Sequence, residues 1–288
     1  MMKKLMFLLF AGVISAGTVK AQDFGENPEE CKKHLSNYGV RWNAKQYVEA
    51  VPFIQKVYNT CPKADEGIYT NLRYVYKSLL LPEAKKAGDE ARQAELLDSL
   101  LWLTDKHMEH FGETTKLKMQ KGVDLMQYKA KDEYNAAFEM LGDVMEEMGE
   151  ETPYYVVVYY FQSAFYKRKN KEVENDFFID EYMKVSDFVT AKKEAAAEAG
   201  DEETEKAWTQ TEQQLMKLLT AVINDCKDIN RIAETVKSEL PEDCEEKAKI
   251  LDKYHGFIKA FTKHLECDSV PALEEFAMMQ FECAPTAK

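Results

Sequence analysis

Two groups of side chains in the sequence are of the types that bind metal ions or form covalent cross-links. One group is the six cysteines, which are Cys31, Cys61, Cys226, Cys244, Cys267 and Cys283. The other is His107 and His110, which lie close in sequence to Glu109 and Glu113. Thiolates and imidazoles are zinc ligands, whereas cysteines in an oxidising compartment form disulfides. The location of the protein and the elements that carry these residues decide between the two chemistries.

The histidine pair predicts a structural role and not a metal site. Histidines near the C-terminal end of a helix interact favourably with the helix dipole, and the spacing fixes no third acidic ligand. A metal-dependent hydrolase that uses His107 and His110 is the enzymatic alternative. Against it, the sequence contains no His-Glu-x-x-His, no Gly-x-Ser-x-Gly and no glycine-rich phosphate loop. We therefore expect a protein that is not an enzyme, with no catalytic residues, no metal and no other cofactor.

Residues 1–21 predict a secretory signal peptide. Lys3 and Lys4 precede an apolar run over residues 5–14, and a small-x-small cleavage site ends at Ala21. The apolar run is too short to cross a bilayer, which takes about 20 residues. We expect an exported mature chain that begins at Gln22 and has no transmembrane segment. Export favours disulfides for the six cysteines, for which 15 pairings exist.

The composition argues against several classes of protein. The 288 residues include 51 Asp and Glu against 38 Lys and Arg, which gives a net charge of −13. A chain this acidic, without a basic cluster, is a poor candidate for binding nucleic acid, because Lys and Arg supply most of that affinity. With only 12 Gly and 8 Pro, a turn-rich all-β fold is also disfavoured. We expect no nucleic-acid partner.

Helix start and stop signals recur along the whole chain, without convincing strand alternation. Asn27 and Pro28 form an N-cap and first turn, Thr152-Pro153 repeats this pattern, and Gly112 and Gly149 follow amphipathic runs as helix-ending glycines. Short connections predict that neighbouring helices pair as antiparallel hairpins. The predicted helices cover residues 28–43, 46–60, 66–80, 83–111, 115–128, 131–148, 153–169, 172–199, 202–225, 227–239, 242–265 and 270–282.

The segment 154–166 is the one ambiguous element. Its run of Tyr and Val has strand propensity, but the preceding Thr152-Pro153 cap predicts a helix. As a helix it has two stripes. A mainly apolar stripe consists of Tyr154, Val158, Phe161 and Phe165, and a stripe with polar tips consists of Tyr155, Tyr159, Gln162 and Tyr166. A helix that is apolar on two sides is typical of one packed between neighbours in a stacked array.

Two hairpins share one residue spacing. Tyr47, Ala50, Ile54 and Val57 are followed by Pro62, and the same spacing recurs in a second set. That second set is Tyr134, Ala137, Leu141 and Val144, with Gly149 in place of the proline. The pattern resembles the second helix of a tetratricopeptide repeat, in which a small residue allows close helix packing and a proline ends the hairpin.

The resemblance extends to a group of exported tetratricopeptide-like proteins of Bacteroidota. It is carried by Asp-Phe-Gly-Glu-Asn-Pro-Glu-Glu-Cys near the predicted cleavage site, by Tyr-Asn-Thr-Cys-Pro-Lys-Ala, and by Asp-Cys-Lys-Asp-Ile from Asp225. It implies an all-α solenoid of stacked hairpins in the cell envelope, in the periplasm or at the outer membrane, with partner binding as its role. We expect helical repeats over residues 22–200, continuous with disulfide-linked repeats over residues 201–288.

The hairpins select one disulfide pairing. In an antiparallel hairpin, the start of one helix meets the end of the next. This rule pairs Cys31 with Cys61, Cys226 with Cys267 and Cys244 with Cys283. The alternative is a zinc site made of Cys226, Cys244, His264 and Cys267.

The expected function is a non-enzymatic scaffold or adaptor that binds a protein or peptide partner. In repeats of this type the first helix of each pair lines the concave face, and Tyr and Trp suit binding hot spots. The candidate partner-binding residues are Leu35, Trp42, Asn43, Tyr155, Tyr159 and Tyr166. Packing between repeats is the alternative role for the tyrosines. A glycan- or nutrient-capture component of an envelope uptake complex is the alternative function, and the sequence leaves the oligomeric state open.

Overall fold

A computed structural model describes residues 23–223, 225–238, 240–267 and 271–283 of the chain. Within these residues all regular structure is helical, which confirms the all-α part of the predicted fold class. The predicted signal peptide lies outside the described residues, and so does the side chain of His264. The α-helices are α1 (Pro28–Asn43), α2 (Tyr47–Thr60), α3 (Gly67–Tyr74), α4 (Leu81–Ala87), α5 (Glu90–Phe111), α6 (Thr115–Tyr128), α7 (Ala130–Met148), α8 (Tyr154–Lys169), α9 (Asn175–Ala199), α10 (Glu202–Thr220), α11 (Cys226–Ser238), α12 (Cys244–His264) and α13 (Pro271–Cys283).

The chain divides into two compact units, one ending at Phe111 and one beginning at Gly112. Helices α1 to α5 form unit 1, and helices α6 to α13 form unit 2. The predicted division after residue 200 falls within unit 2, between α9 and α10.

Unit 1 begins with the hairpin of α1 and α2. The Asn27 side chain accepts a hydrogen bond from the Glu30 backbone N–H and so caps α1, as its sequence predicts. The small side chain of Ala50 is buried between the helices, which is consistent with the tetratricopeptide-like spacing. A disulfide joins Cys31 at the start of α1 to Cys61 just after α2, with 5.9 Å between their Cα atoms.

The predicted helix break before residue 83 is wrong. Helices α3 and α4 are joined by a π-helical turn, Val75–Leu80, into one helical run that contains Pro82. In the π turn the Leu81 N–H bonds to the Tyr76 carbonyl, five residues back. The wider turn places Pro82 in the first turn of α4, where its missing N–H is tolerated. The run ends instead at Gly88, whose left-handed φ of +67° suits glycine.

In unit 2 consecutive helices pack on one another from α6 to α10 and from α11 to α13, and α9 also packs on α11. Helix α6 contacts α7 and α8, and α8 contacts α7, α9 and α10. The close approach of α6 to α7 depends on Gly122, because a Cβ there would lie 2.7 Å from the buried Leu141 side chain.

Segment 154–169 is helical as predicted, and strand propensity does not decide its structure. The predicted Thr152 cap is wrong, because Pro153 is the N-cap residue and the Thr152 hydroxyl donates to the Gly149 carbonyl at 2.7 Å. Its buried face consists of Val156, Val157, Tyr160, Phe161, Ser163 and Ala164. The predicted apolar stripe is therefore only partly correct, since Tyr154 is 47% exposed. The stripe with polar tips lies on the opposite side of the helix and remains partly exposed.

The last three helices carry the other two disulfides. Cys226 at the start of α11 is bonded to Cys267 after α12, and Cys244 at the start of α12 is bonded to Cys283 at the end of α13. The Cα–Cα distances are 5.9 and 5.0 Å. These bonds match the pairing that the hairpin rule predicts.

Three buried tyrosines of unit 2 predict that the protein loses stability in alkali. Burial raises the pKa of Tyr160, Tyr182 and Tyr254 above the ordinary value of 10.0. The folded state therefore keeps these protons at pH values where the unfolded state loses them. The stabilisation is complete below about pH 10 and is lost progressively as the pH rises above it.

We expect the free energy of unfolding in urea to fall between about pH 9.5 and pH 11. The Tyr254 hydroxyl donates to Asp187 Oδ1 at 2.9 Å, so Tyr254→Phe removes one titrating group and should make the fall less steep. An unfolding free energy that does not change over this range would contradict the prediction.

Candidate partner-binding surface

The polar-tipped stripe of α8 lies beside α6 in unit 2. The Tyr155 hydroxyl is 3.5 Å from Sδ of Met119, and Gln127 Nε2 donates to the Tyr159 hydroxyl at 2.9 Å. Met119 and Tyr155 both lie near the starts of their helices, and Gln127 and Tyr159 both lie further along. The two helices therefore run in the same direction. The α6–α8 surface is defined here as Met119, Gln127, Tyr155, Tyr159, Gln162 and Tyr166.

The tyrosines of this surface are held by neighbours but not covered by them. Tyr155 is 36% exposed, and partial burial raises its pKa. Tyr166 stacks on Tyr134 with 5.9 Å between ring centroids, and Lys169 Nζ lies 5.8 Å from its ring. Packing between helices thus buries part of each ring. The remaining exposed parts form a row along α8.

A polar cavity of about 480 Å³ lies at the end of this row, where α6 turns into α7. Gln162 and Tyr166 contribute to it from α8. Gln127, Tyr128, Lys129 and Lys131 contribute from the other side. Helix α7 begins at this cavity, and the side chain of its N-cap residue, Lys129, makes no capping hydrogen bond. Most of the lining groups can donate hydrogen bonds.

The predicted residues of unit 1 lie in a different environment. Leu35 and Trp42 are half-buried against the core, and Asn43 is exposed. The Trp42 ring contacts Tyr47 at 4.7 Å and Tyr74 at 6.2 Å between centroids. Trp42 is therefore mainly a packing residue, and the exposed ring of this cluster is Tyr74, at 42%. The sequence interpretation did not include Tyr74, which comes from the next hairpin.

The two histidines belong to an aromatic cluster of unit 1. His107 is buried, its ring stacks on Tyr69 at 4.9 Å, and its Nε2 lies 2.9 Å from Glu66 Oε1. His110 lies 6.2 Å from the Tyr58 ring. Within the described residues, no three His, Cys, Asp or Glu side chains are grouped so that they could hold a metal ion. Glu66, the partner of His107, was not identified from the sequence because it lies 41 residues away, in the turn before α3.

Comparison with models of known protein families found no match to this chain. Comparison with curated proteins found no match either.

None of the helices that the structure describes combines the length and the apolar character needed to cross a membrane.

Proposed function

We propose that the protein is a non-enzymatic scaffold of the bacterial cell envelope that binds a peptide or protein partner on the α6–α8 surface. Its architecture would be a tetratricopeptide-like array. The packing of α6, α8 and α10 supports this, because successive first helices of stacked hairpins contact one another. The α6–α8 contacts join residues that are 36 and 32 positions apart in sequence. These separations are close to the 34-residue period of tetratricopeptide repeats.

The three disulfides support an exported protein. Disulfides persist in oxidising compartments such as the periplasm and are rare in the cytosol. Together with the predicted signal peptide, they favour a location outside the inner membrane.

The observation that carries the binding function is the row of partly exposed tyrosines on α8. Tyrosine buries a large area on binding and keeps a hydroxyl group for a hydrogen bond, which makes it common in binding hot spots. Here the Tyr159 hydroxyl is already held by Gln127 and the Tyr166 ring by Tyr134. A partner would therefore meet side chains that lose little conformational entropy on binding.

We expect Tyr159→Ala to weaken capture of the partner strongly. The test is cross-linked co-purification from the cells that produce the protein, with quantification by mass spectrometry. Truncation of a central aromatic hot spot costs at least about 2 kcal/mol, so the recovered partner should fall by about tenfold or more. Trp102→Ala is the matched control, because Trp102 is a 47% exposed aromatic residue of unit 1.

Equal recovery with wild type and Tyr159→Ala would contradict this site. If no protein is enriched and a glycan array shows specific retention, the glycan-capture alternative replaces the scaffold.

A further inference from the structure

We propose that the α6–α8 surface recognises an extended peptide segment with an apolar side chain and, about five residues away, a carboxylate. This inference rests on the proposed function and specifies the chemistry of its partner. It follows because one end of the surface is apolar and the other end is polar and rich in hydrogen-bond donors.

The end near the start of α8 is apolar. Tyr155 is 36% exposed, and its ring meets edge to face, at 5.7 Å, the ring of Tyr154, which is 47% exposed and borders the α6–α8 surface. Trp208 supports the Tyr154 ring from α10 at 6.2 Å. The Tyr155 hydroxyl is directed at the Met119 sulfur. Aromatic rings beside a thioether form a surface that suits an aliphatic or aromatic side chain.

The other end is the polar cavity, and it is rich in hydrogen-bond donors. Lys129 and Lys131 supply two ammonium groups, and Gln162 and Tyr166 supply an amide and a phenol. Asp132 is the single acidic residue among the described residues that line the cavity. Hydrogen bonds from ammonium groups to a carboxylate are about twice as strong as bonds between neutral groups. A carboxylate is therefore the ligand group that this lining favours.

The charge of the rest of the chain makes this cavity distinctive. The protein carries a net charge of −13. The larger cavity of unit 2, of about 880 Å³, is lined by acidic residues that include Asp187, Glu194, Glu212 and Glu246. An acidic peptide is repelled by that cavity and attracted by the α6–α7 turn. Charge complementarity would thus fix where the peptide binds and in which direction it runs.

The distance between the two ends sets the spacing in the partner. Tyr166 follows Tyr155 by eleven positions on α8, which is about 16 Å at ~1.5 Å per residue. An extended peptide advances ~3.3 Å per residue, so about five residues cover that distance.

The test is selection of a phage-displayed library of random peptides on the disulfide-bonded chain that begins at Gln22. We expect the enriched peptides to share an apolar residue and an Asp or Glu about five positions apart. Synthetic versions are then measured by calorimetry on wild type, on Lys129→Ala/Lys131→Ala and on Lys116→Ala. Lys116 is the control, because it is an exposed lysine of α6 outside the cavity lining.

The double variant should weaken binding of the acidic peptides by about tenfold, while Lys116→Ala leaves it unchanged. Replacing the peptide carboxylate with an amide should weaken binding to wild type equally and add nothing in the double variant. Enriched peptides that depend on Tyr159 but not on an acidic residue would overturn this inference and leave the proposed function standing. The absence of any enriched peptide would also overturn this inference, whereas the co-purification with Tyr159→Ala decides the proposed function, which includes a folded protein as partner.

Discussion

Replacing Cys226 and Cys267 with serine is expected to lower the free energy of unfolding of the α11–α13 segment by about 4 kcal/mol. The bond closes a loop of 41 residues, and its loss returns that conformational freedom to the unfolded chain. Among the described residues, α11 is then held by its packing on α9, α12 and α13. Amide hydrogen exchange is the measurement, because it reports local opening helix by helix.

Protection should fall in α11 to α13 and remain unchanged in α6 to α8. The matched control is Cys31→Ser/Cys61→Ser, which removes a bond that closes a loop of 30 residues. That control should reduce protection in α1 and α2 of unit 1 and leave α11 to α13 unaffected. Unchanged exchange in α11 to α13 after loss of Cys226–Cys267 would show that the bond contributes no stability there.

Gly122→Val is expected to lower the free energy of unfolding of unit 2 by about 2–3 kcal/mol. A Cβ at Gly122 would already lie 2.7 Å from Cγ and Cδ2 of Leu141. Leu141 is completely buried, so its side chain has no open space to enter. The added atoms would separate α6 from α7 or force Leu141 from its rotamer. Urea unfolding gives the change directly.

Gly39→Ala is the control for the glycine substitution. Gly39 is inside α1, and apart from its chain neighbours and the nearby backbone of α1, no described atom lies within 4 Å of a Cβ built there. Alanine should raise the unfolding free energy of unit 1 by about 0.5–1 kcal/mol through its higher helix propensity.

A double variant tests the clash itself. Leu141→Ala should relieve part of the loss of stability caused by Gly122→Val, so the effects of the two changes on the unfolding free energy should not add. A purely additive pair would exclude the clash as the cause.

The helices could be predicted well because their ends depend on local chemistry. Helices α1 and α6 begin and end at the predicted residues, and Asn27 and Thr114 each accept a backbone N–H bond in the first turn. The exception is the run through Pro82. Whether a proline begins a new helix or is accommodated by a π turn depends on packing with other helices, which local sequence does not specify.

Only the α8 residues of the candidate site could be predicted from the sequence. The spacing of Tyr155, Tyr159 and Tyr166 placed them on one face of a helix, and the structure finds them on one face. Their neighbours Met119 and Gln127 come from α6, and the register between two helices is not encoded in either one alone. The contribution of Lys129 and Lys131 was missed for the same reason. They line a cavity only because the α6–α7 turn meets the end of α8.

The interleaved order of Cys226, Cys244, Cys267 and Cys283 has a consequence for resistance to proteolysis. The Cys226–Cys267 and Cys244–Cys283 loops overlap, so every peptide bond from Cys226 to Cys283 is enclosed by at least one of them. A protease that cuts once anywhere in this span therefore releases no fragment, and the severed helices remain covalently tethered and able to pack again. Only reduction, or a second cut, would detach a piece.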